Sequence, residues 1–329
     1  MHRAFDSYDC TALVVQSTLT YRLPGSPVVE KKGCFRKLDN PNLFDGFIVS
    51  DFEGQHLYGF YEGAFDEETA EQELPVVISK SAYCDIANEF IHYLQDHAID
   101  KAILSRVKQV DFGSNQPMIF FSKLVEKYPH AFCYFFESPS LGTWVGATPE
   151  TLVKIEEGRG VTMSLAGTKP AGDGSAWGAK ELHEQQLVTD FIRGQLLEMC
   201  AEVRESDRGE LIAGPVKHLV HHFTFDIAAF KQWELIRKLH PTPAVSGYPR
   251  DKALKCIAEL EAHDRKFYAG IIGLTSAKTT SLFVNLRSAE LLNNQLYLYL
   301  GGGMTQQSDP ESEWNETENK AKTLLDLID

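Results

Sequence analysis

At 329 residues the chain is long enough to bury a large core, either as one big domain or as two. Hydrophobic content of 43% and charged content of 24% are ordinary for a globular protein, and no apolar run approaches the roughly 20 residues needed to cross a bilayer. A net charge of −14 works against nonspecific nucleic-acid binding, so neither nucleic acid nor membrane is expected as a partner, and an anionic ligand would need local basic groups or a metal.

The first residues, Met1-His-Arg-Ala-Phe-Asp6, lack the basic-then-apolar layout of a signal peptide, and a cytoplasmic location is expected. Up to residue 80, short apolar runs alternate with turn residues. Ala12-Leu-Val-Val15, Gly46-Phe-Ile-Val49 and Leu57-Tyr-Gly-Phe60 predict strands of an antiparallel sheet. An acidic stretch from Glu62 to Glu73 leads into a predicted helix over 81–97. β-Branched and aromatic residues between turns predict strands at 102–111, 131–138, 142–147 and 151–156. A long helix is expected over 177–203, with shorter ones at 231–239 and 249–261. Further strands are expected at 216–227, 267–274, 281–289 and 295–300. Ser308, Asp309 and Pro310 then open a terminal helix, with a capping side chain and a first-turn proline. Strands come in clusters and do not alternate with helices, which predicts an α+β fold with large antiparallel sheets. No Pro/Gly/Ser linker and no internal repeat interrupts the chain, so one domain over 1–329 is expected. Cys10, Cys34, Cys84, Cys133, Cys200 and Cys256 form no CxxC pair, which disfavours zinc and a disulfide framework.

Several patterns bear on chemistry. On the terminal helix Glu313, Glu316 and Lys320 fall at i, i+3 and i+7 and share a face. Alone they describe a solvated helix. Behind the glycine run Gly301, Gly302 and Gly303, expected as a flexible loop, they could also hold a divalent metal and an anion. Glu181 and Glu184 form a second i, i+3 pair. Were the two pairs to face each other, four carboxylates would meet, which is tolerable only around a cation. Hard oxygen donors favour Mg²⁺. Lys101 opens a strand in apolar surroundings and either snorkels or serves as a general base. Glu150 ends the turn Gly146-Ala-Thr-Pro-Glu150, where partial desolvation would keep it protonated as a general acid. Arg287 sits in an otherwise apolar strand, and a structural ion pair explains it as well as a ligand contact does. His240 precedes a proline and reads equally as a satisfied interior histidine. His218, His221 and His222 lack a convincing metal spacing, because a strand points the last two to opposite faces.

The order of these motifs is more specific than any one of them. Lys-Ala-Ile-Leu-Ser-Arg106, Gly-Ala-Thr-Pro-Glu150, Leu165-Ala-Gly-Thr168, Glu181 with Glu184, and His240-Pro-Thr-Pro-Ala-Val-Ser-Gly247 follow one another. Asp264-Arg-Lys-Phe-Tyr-Ala-Gly270, Leu286-Arg-Ser-Ala289 and the Gly301–Gly303 to Lys320 ending complete the series. From about residue 86 onward the chain resembles the chorismate-utilising enzymes: isochorismate synthase, salicylate synthase, anthranilate synthase component I and aminodeoxychorismate synthase. Residues 1–85 form a shorter, divergent part. The resemblance implies a single α+β domain with two antiparallel sheets and helices packed outside. It implies chorismate as substrate and Mg²⁺ as cofactor, held by Glu184 and Glu316 with Glu181 and Glu313 in support. It implies Lys101 as base and Glu150 as acid, with Thr168, His240, Tyr268, Arg287, Lys320 and the glycines Gly301, Gly302 and Gly303 on the substrate. A monomer or weak homodimer is expected. Within the family, the aminodeoxychorismate type often carries a nucleophilic lysine where this chain has Ala166, and the anthranilate type has glutamine where Lys101 stands. Water chemistry, by isochorismate or salicylate synthase, is therefore expected, and the resemblance of His240-Pro-Thr-Pro-Ala-Val-Ser-Gly247 to a run typical of isochorismate synthases favours that enzyme. The alternatives are a salicylate synthase, an aminodeoxychorismate synthase-like enzyme and a non-catalytic paralogue. Ser246, Lys266-Phe267 and Gly301-Gly-Gly-Met-Thr305 depart from the family's usual residues.

Overall fold

The computed structural model describes residues 16–63 and 66–328, so Cys10 and the expected strand at 12–15 lie outside the described residues. Strands β1 (Ser17–Arg22), β2 (Val29–Lys37), β3 (Gly46–Ser50) and β4 (Leu57–Glu62) precede helix α1 (Lys80–Asp96). Next come β5 (Lys101–Asp111), α2 (Pro117–Lys127), β6 (Phe132–Ser138), β7 (Gly142–Thr148), β8 (Thr151–Glu156) and β9 (Arg159–Pro170). Helix α3 (Ala179–Met199) leads to β10 (Ala201–Glu205), β11 (Gly209–Ala213), β12 (Val216–Asp226), α4 (Gln232–Leu239), β13 (Gly247–Tyr248) and α5 (Arg250–Leu260). Then β14 (Ile271–Thr275), β15 (Thr279–Val284), β16 (Ser288–Leu292) and β17 (Gln295–Met304) run into α6 (Pro310–Leu325).

Every pairing between these strands is antiparallel. One half of the ladder runs β13-β5-β17-β16-β7-β6-β1. The β1–β2 pair continues it into β2-β4-β3-β14-β15-β8-β9-β12, with β10 and β11 sharing the outer edge of β12. The belt folds over so that its halves face each other. Phe132 of β6 stacks on Phe283 of β15 with ring centroids 4.6 Å apart, and Phe35 of β2 meets Phe136 of β6 at 5.0 Å. Burying each such ring is worth about 1.5–3 kcal/mol before entropy is counted. The expected α+β domain with two facing antiparallel layers is therefore present, with the refinement that one ladder runs through both.

Helices pack on the outside of this belt. In α1, Ser79 caps the first turn by accepting from the Ala82 N–H, and Tyr83, Ala87, Phe90 and Leu94 make one buried stripe at helical spacing. In α6, Asp309 accepts from the Ser312 N–H at 2.9 Å and Pro310 occupies the first turn, as the sequence predicts. The guanidinium of Arg106 lies 3.6 Å over the Trp314 ring and donates to Thr317 Oγ1 at 2.8 Å, which anchors α6 to β5.

Several expectations need correction. The helix predicted over 177–203 ends at Met199, because Ala201–Glu205 pairs with β12 instead. The strand predicted at 267–274 starts only at Ile271; before it the chain turns, with Tyr268 N–H bonded to Arg265 O at 2.8 Å. The strand predicted at 281–289 is broken between Val284 and Ser288, where Arg287 takes a left-handed φ of 51°. The run Gly301–Gly303 is no loop: it is the end of β17, paired with Ser105–Ile103 of β5. Helix α2 and strands β1, β2, β9, β10, β11, β13 and β16 are additional to the elements expected.

Candidate active site

The two ends of the belt approach each other around a cavity lined by Lys101 and Ile103 of β5, Gly301 and Gly303 of β17, Leu165 to Thr168 of β9, and His218 of β12. Glu150, Glu184, Tyr268, Arg287, Glu316 and Lys320 complete its chemically active wall. Among the described residues no helix is long and apolar enough to cross a membrane.

Lys101 is 2% exposed and starts β5, so the strand itself aims the ammonium inward. Its Nζ lies 3.5 Å from Glu184 Oε2. Glu184 is placed by α3, whose next residue, Gln185, donates to Ser164 Oγ of β9 at 3.1 Å. Glycine at 303 lets both side chains approach closely: a Cβ would come within 2.9 Å of Lys101 Cε and 3.0 Å of Glu184 Oε2 and push them aside. The facing edge of β17 is open, because β16 pairs with it only as far as Leu298. Backbone groups of the glycine run have no strand partner on that side, and Gly301 O accepts from Lys320 Nζ at 2.7 Å.

Glu150 occupies the turn between β7 and β8, 4% exposed. Burial pushes its pKa up to about 7, against the pull of Lys101 and Arg287. A carboxyl that holds its proton near neutrality has what a general acid needs.

Arg287 is held by the kink between β15 and β16. Asn285 in that kink accepts from Tyr134 OH and donates to Phe267 O, both at 2.8 Å. Among the described residues Arg287 forms no ion pair, so the structural pairing considered from sequence is not made. Its Nε is buried without a hydrogen-bond partner, and its terminal nitrogen contacts His218 Nε2 at 3.3 Å. Burial lowers the His218 pKa to about 3, with Arg287 and Lys320 adding to the effect. The ring is neutral: Nδ1–H donates to Gly167 O at 2.9 Å and Nε2 is left to accept from Arg287. A guanidinium without a counter-ion at a cavity wall favours an anion in that cavity.

The carboxylates of α3 and α6 come together with lysines between them. Lys320 Nζ is 2.6 Å from Glu316 Oε1, and Lys180 Nζ is 2.5 Å from Glu313 Oε1. Burial opposes the charge on Glu316, but Lys320 outweighs it and the pKa falls below the ordinary value. At Glu313 burial dominates, Glu316 reinforces it, and the pKa rises.

Two expected site residues stand apart. Glu181 does not reach the cavity: its carboxylate folds back to the start of α3, where a Cβ on Gly178 would meet Oε2 at 2.6 Å. Three carboxylates therefore gather, not four. His240 is buried outside the cavity, with Nε2 bonded to Phe52 O at 2.9 Å, and Ala244 and Val245 of the same segment line the wall instead. Thr168 and Tyr268 line the cavity, whereas Glu313 and Gly302 lie just behind its surface. His218 and Lys180 had no sequence signal of their own. The register that sets His218 opposite Thr168 on β9 is a long-range pairing.

Residues 61–329 match the family model described as chorismate binding enzyme, and the chain belongs to that family. It is 31% identical over 248 residues to isochorismate synthase EntC of Escherichia coli K12, covering 70% of this chain and 62% of EntC. It is 35% identical over 243 residues to the salicylate biosynthesis isochorismate synthase of Pseudomonas aeruginosa, covering 69% of this chain and 50% of that protein. Anthranilate synthase component 1 of Aquifex aeolicus is 27% identical over 268 residues, with 76% and 53% covered. The matched segment thus spans half to three-fifths of these relatives' own length. Among solved structures, DhbC from Bacillus anthracis superposes with a TM-score of 0.80 at 23% identity, covering 95% of this chain and 96% of that one. MenF, the menaquinone-specific isochorismate synthase from Escherichia coli, also reaches 0.80, at 19% identity and 98% and 92% coverage.

Proposed function

We propose that this protein is a Mg²⁺-dependent isochorismate synthase, converting chorismate to isochorismate by adding water at C2 and losing the C4 hydroxyl. The observation that carries the reading is the placement of Lys101 and Glu150 on one cavity whose guanidinium, Arg287, has no counter-ion. Ala166 lies on the same wall, so no side-chain amine is offered there. The isochorismate synthases among the relatives support the same choice.

In this mechanism Arg287 and Lys320 take the substrate's carboxylates, aided by the open edge of β17. Lys101, acting as the free amine, takes a proton from the water as the water oxygen bonds to C2. The ring double bonds shift, the C4–O bond breaks, and Glu150 delivers a proton so that the hydroxyl leaves as water. Acid–base assistance of this kind is worth about 10²–10⁴ per group. Tyr268, its phenol pushed up to about 12 by burial, stays neutral at the wall.

The carboxylates suit a hard divalent cation. Among the described residues no group of three or more His, Cys, Asp or Glu is placed to hold a metal ion by itself. Glu184 and Glu316 nevertheless face one cavity from two helices, which fits Mg²⁺, an ion that takes few protein carboxylates and leaves positions for water and substrate oxygens. Glu184 and Glu316 would hold it, with Glu313 behind them. When bound, the cation would polarise and orient the substrate's ring carboxylate.

The test is an end-product assay with chorismate and Mg²⁺, coupled to pyruvate detection. Isochorismate without stoichiometric pyruvate is expected. Stoichiometric pyruvate without an added lyase would make the protein a salicylate synthase, and an amino product on adding ammonia would equally overturn the reading.

A further inference from the structure

One ammonium at the cleft has no part in the steps above. Lys180 stands one turn before Glu184 on α3 and reaches across to α6, its Nζ 2.5 Å from Glu313 Oε1 and 3.8 Å from Glu184 Oε1. The Glu313 side chain is only 2% exposed. Besides Lys180 it has the Ser308 hydroxyl, which donates to Oε1 at 2.8 Å, while Oε2 points toward Gly302. A pair of solvated residues on one helix face would not join two helices or cover a buried carboxylate. The charges balance one for one: Glu184, Glu313 and Glu316 against Lys101, Lys180 and Lys320. A divalent cation entering this set adds two positive charges, so the ammonium freest to leave should yield first. The Lys180 side chain is 34% exposed, compared with 3% for Lys101 and 10% for Lys320, so it alone has water to retreat to.

We propose that Lys180 is a built-in counter-cation that holds Glu313 and Glu184 in place in the metal-free protein and competes with the divalent cation for them. The inference rests on the Mg²⁺ reading given above. It makes Lys180 a positioning residue, acting through the carboxylates and never on the substrate. Its removal leaves two like charges facing each other until metal arrives, so metal binds more tightly and the metal-free protein is weaker.

The experiment titrates the full chain with Mn²⁺, followed by electron paramagnetic resonance, and with Mg²⁺ by calorimetry, both without chorismate. Lys180→Met should bind each ion at least about tenfold more tightly than wild type, whereas Lys180→Arg should stay near wild type. In EDTA the Met variant should melt below wild type and regain the difference on adding Mg²⁺. Should Lys180→Met fail to fold, Lys180→Gln takes its place in the same titration. Equal or weaker metal binding by the neutral variant overturns the inference while leaving the Mg²⁺ reading intact. A wild-type protein that binds neither ion, with or without chorismate, sinks the Mg²⁺ reading and this one with it.

Discussion

Replacing Glu150 with glutamine should move activity and stability in opposite directions. The carboxyl is buried, and its pKa stands at about 7 against an ordinary 4.5. A folded-state pKa above the unfolded one means that the folded protein holds this proton more tightly. The associated stability is fully present below about pH 4.5 and is lost as pH rises through about 7. The gap corresponds to about 3 kcal/mol, the cost at pH 8 of keeping an ionised carboxylate in that turn. Glutamine has the same shape and no charge to bury. Glu150→Gln should therefore be more stable than wild type at pH 8 by up to about 3 kcal/mol, or about 4 °C in Tm for a chain this long. The gain should vanish near pH 4.5. Turnover should fall by about 10²–10⁴, because the amide has no proton to give the leaving hydroxyl. Wild-type kcat/KM should likewise decline as pH rises past about 7. Calorimetric melts at pH 5 and pH 8, beside steady-state turnover, test all of this. A variant melting at or below wild type at pH 8, or keeping kcat within a few-fold, would refute the assignment of Glu150 as a desolvated acid.

Three further outcomes follow from the same geometry. Gly303→Ala puts a methyl group 2.9 Å from Lys101 Cε, so kcat should drop by about 10² or more while circular dichroism stays unchanged; normal turnover would mean that the glycine wall does not position the base. Arg287→Met removes the cavity's unpaired guanidinium, and KM for chorismate should rise about 10- to 100-fold, with the melting temperature of the ligand-free protein no lower. An unchanged KM would take Arg287 off the substrate. Glu316→Gln should shift the Mg²⁺ activation curve to higher concentration, and chelation should abolish wild-type turnover; an unshifted curve would remove Glu316 from the metal site.

What the residues disclose in advance depends on how local the signal is. The start of α6 is written in three consecutive residues, and the Glu316–Lys320 spacing lies within two turns, so both are legible from the sequence. Lys101 at a strand start and Glu150 in a tight turn are likewise short-range features. His218 is different. Its partners Gly167 and Arg287 are 51 and 69 residues away, and only the β9–β12 register brings them together. Lys180 reads as any helical lysine because its partner Glu313 is 133 residues on. The break at Arg287 leaves no mark in the sequence, since the apolar pattern continues across it while the backbone turns left-handed. His240 shows the converse failure: a motif carries it into the family signature, and the fold spends it on a backbone carbonyl.

The belt of strands begins at β13 and β5 and ends at β12 with β10 and β11, and its two ends come to face each other without pairing. It is, in effect, a ring with one gap, and the cavity lies in that gap. α6 rides on β17 at one lip and α3 on β9 at the other. A ligand held by both lips therefore does what a missing strand would have done: it closes the circle. Binding should then be felt beyond the residues it touches, as slower amide exchange along β5 and β17 and along β9 and β12 together, because both lips lose their freedom at once.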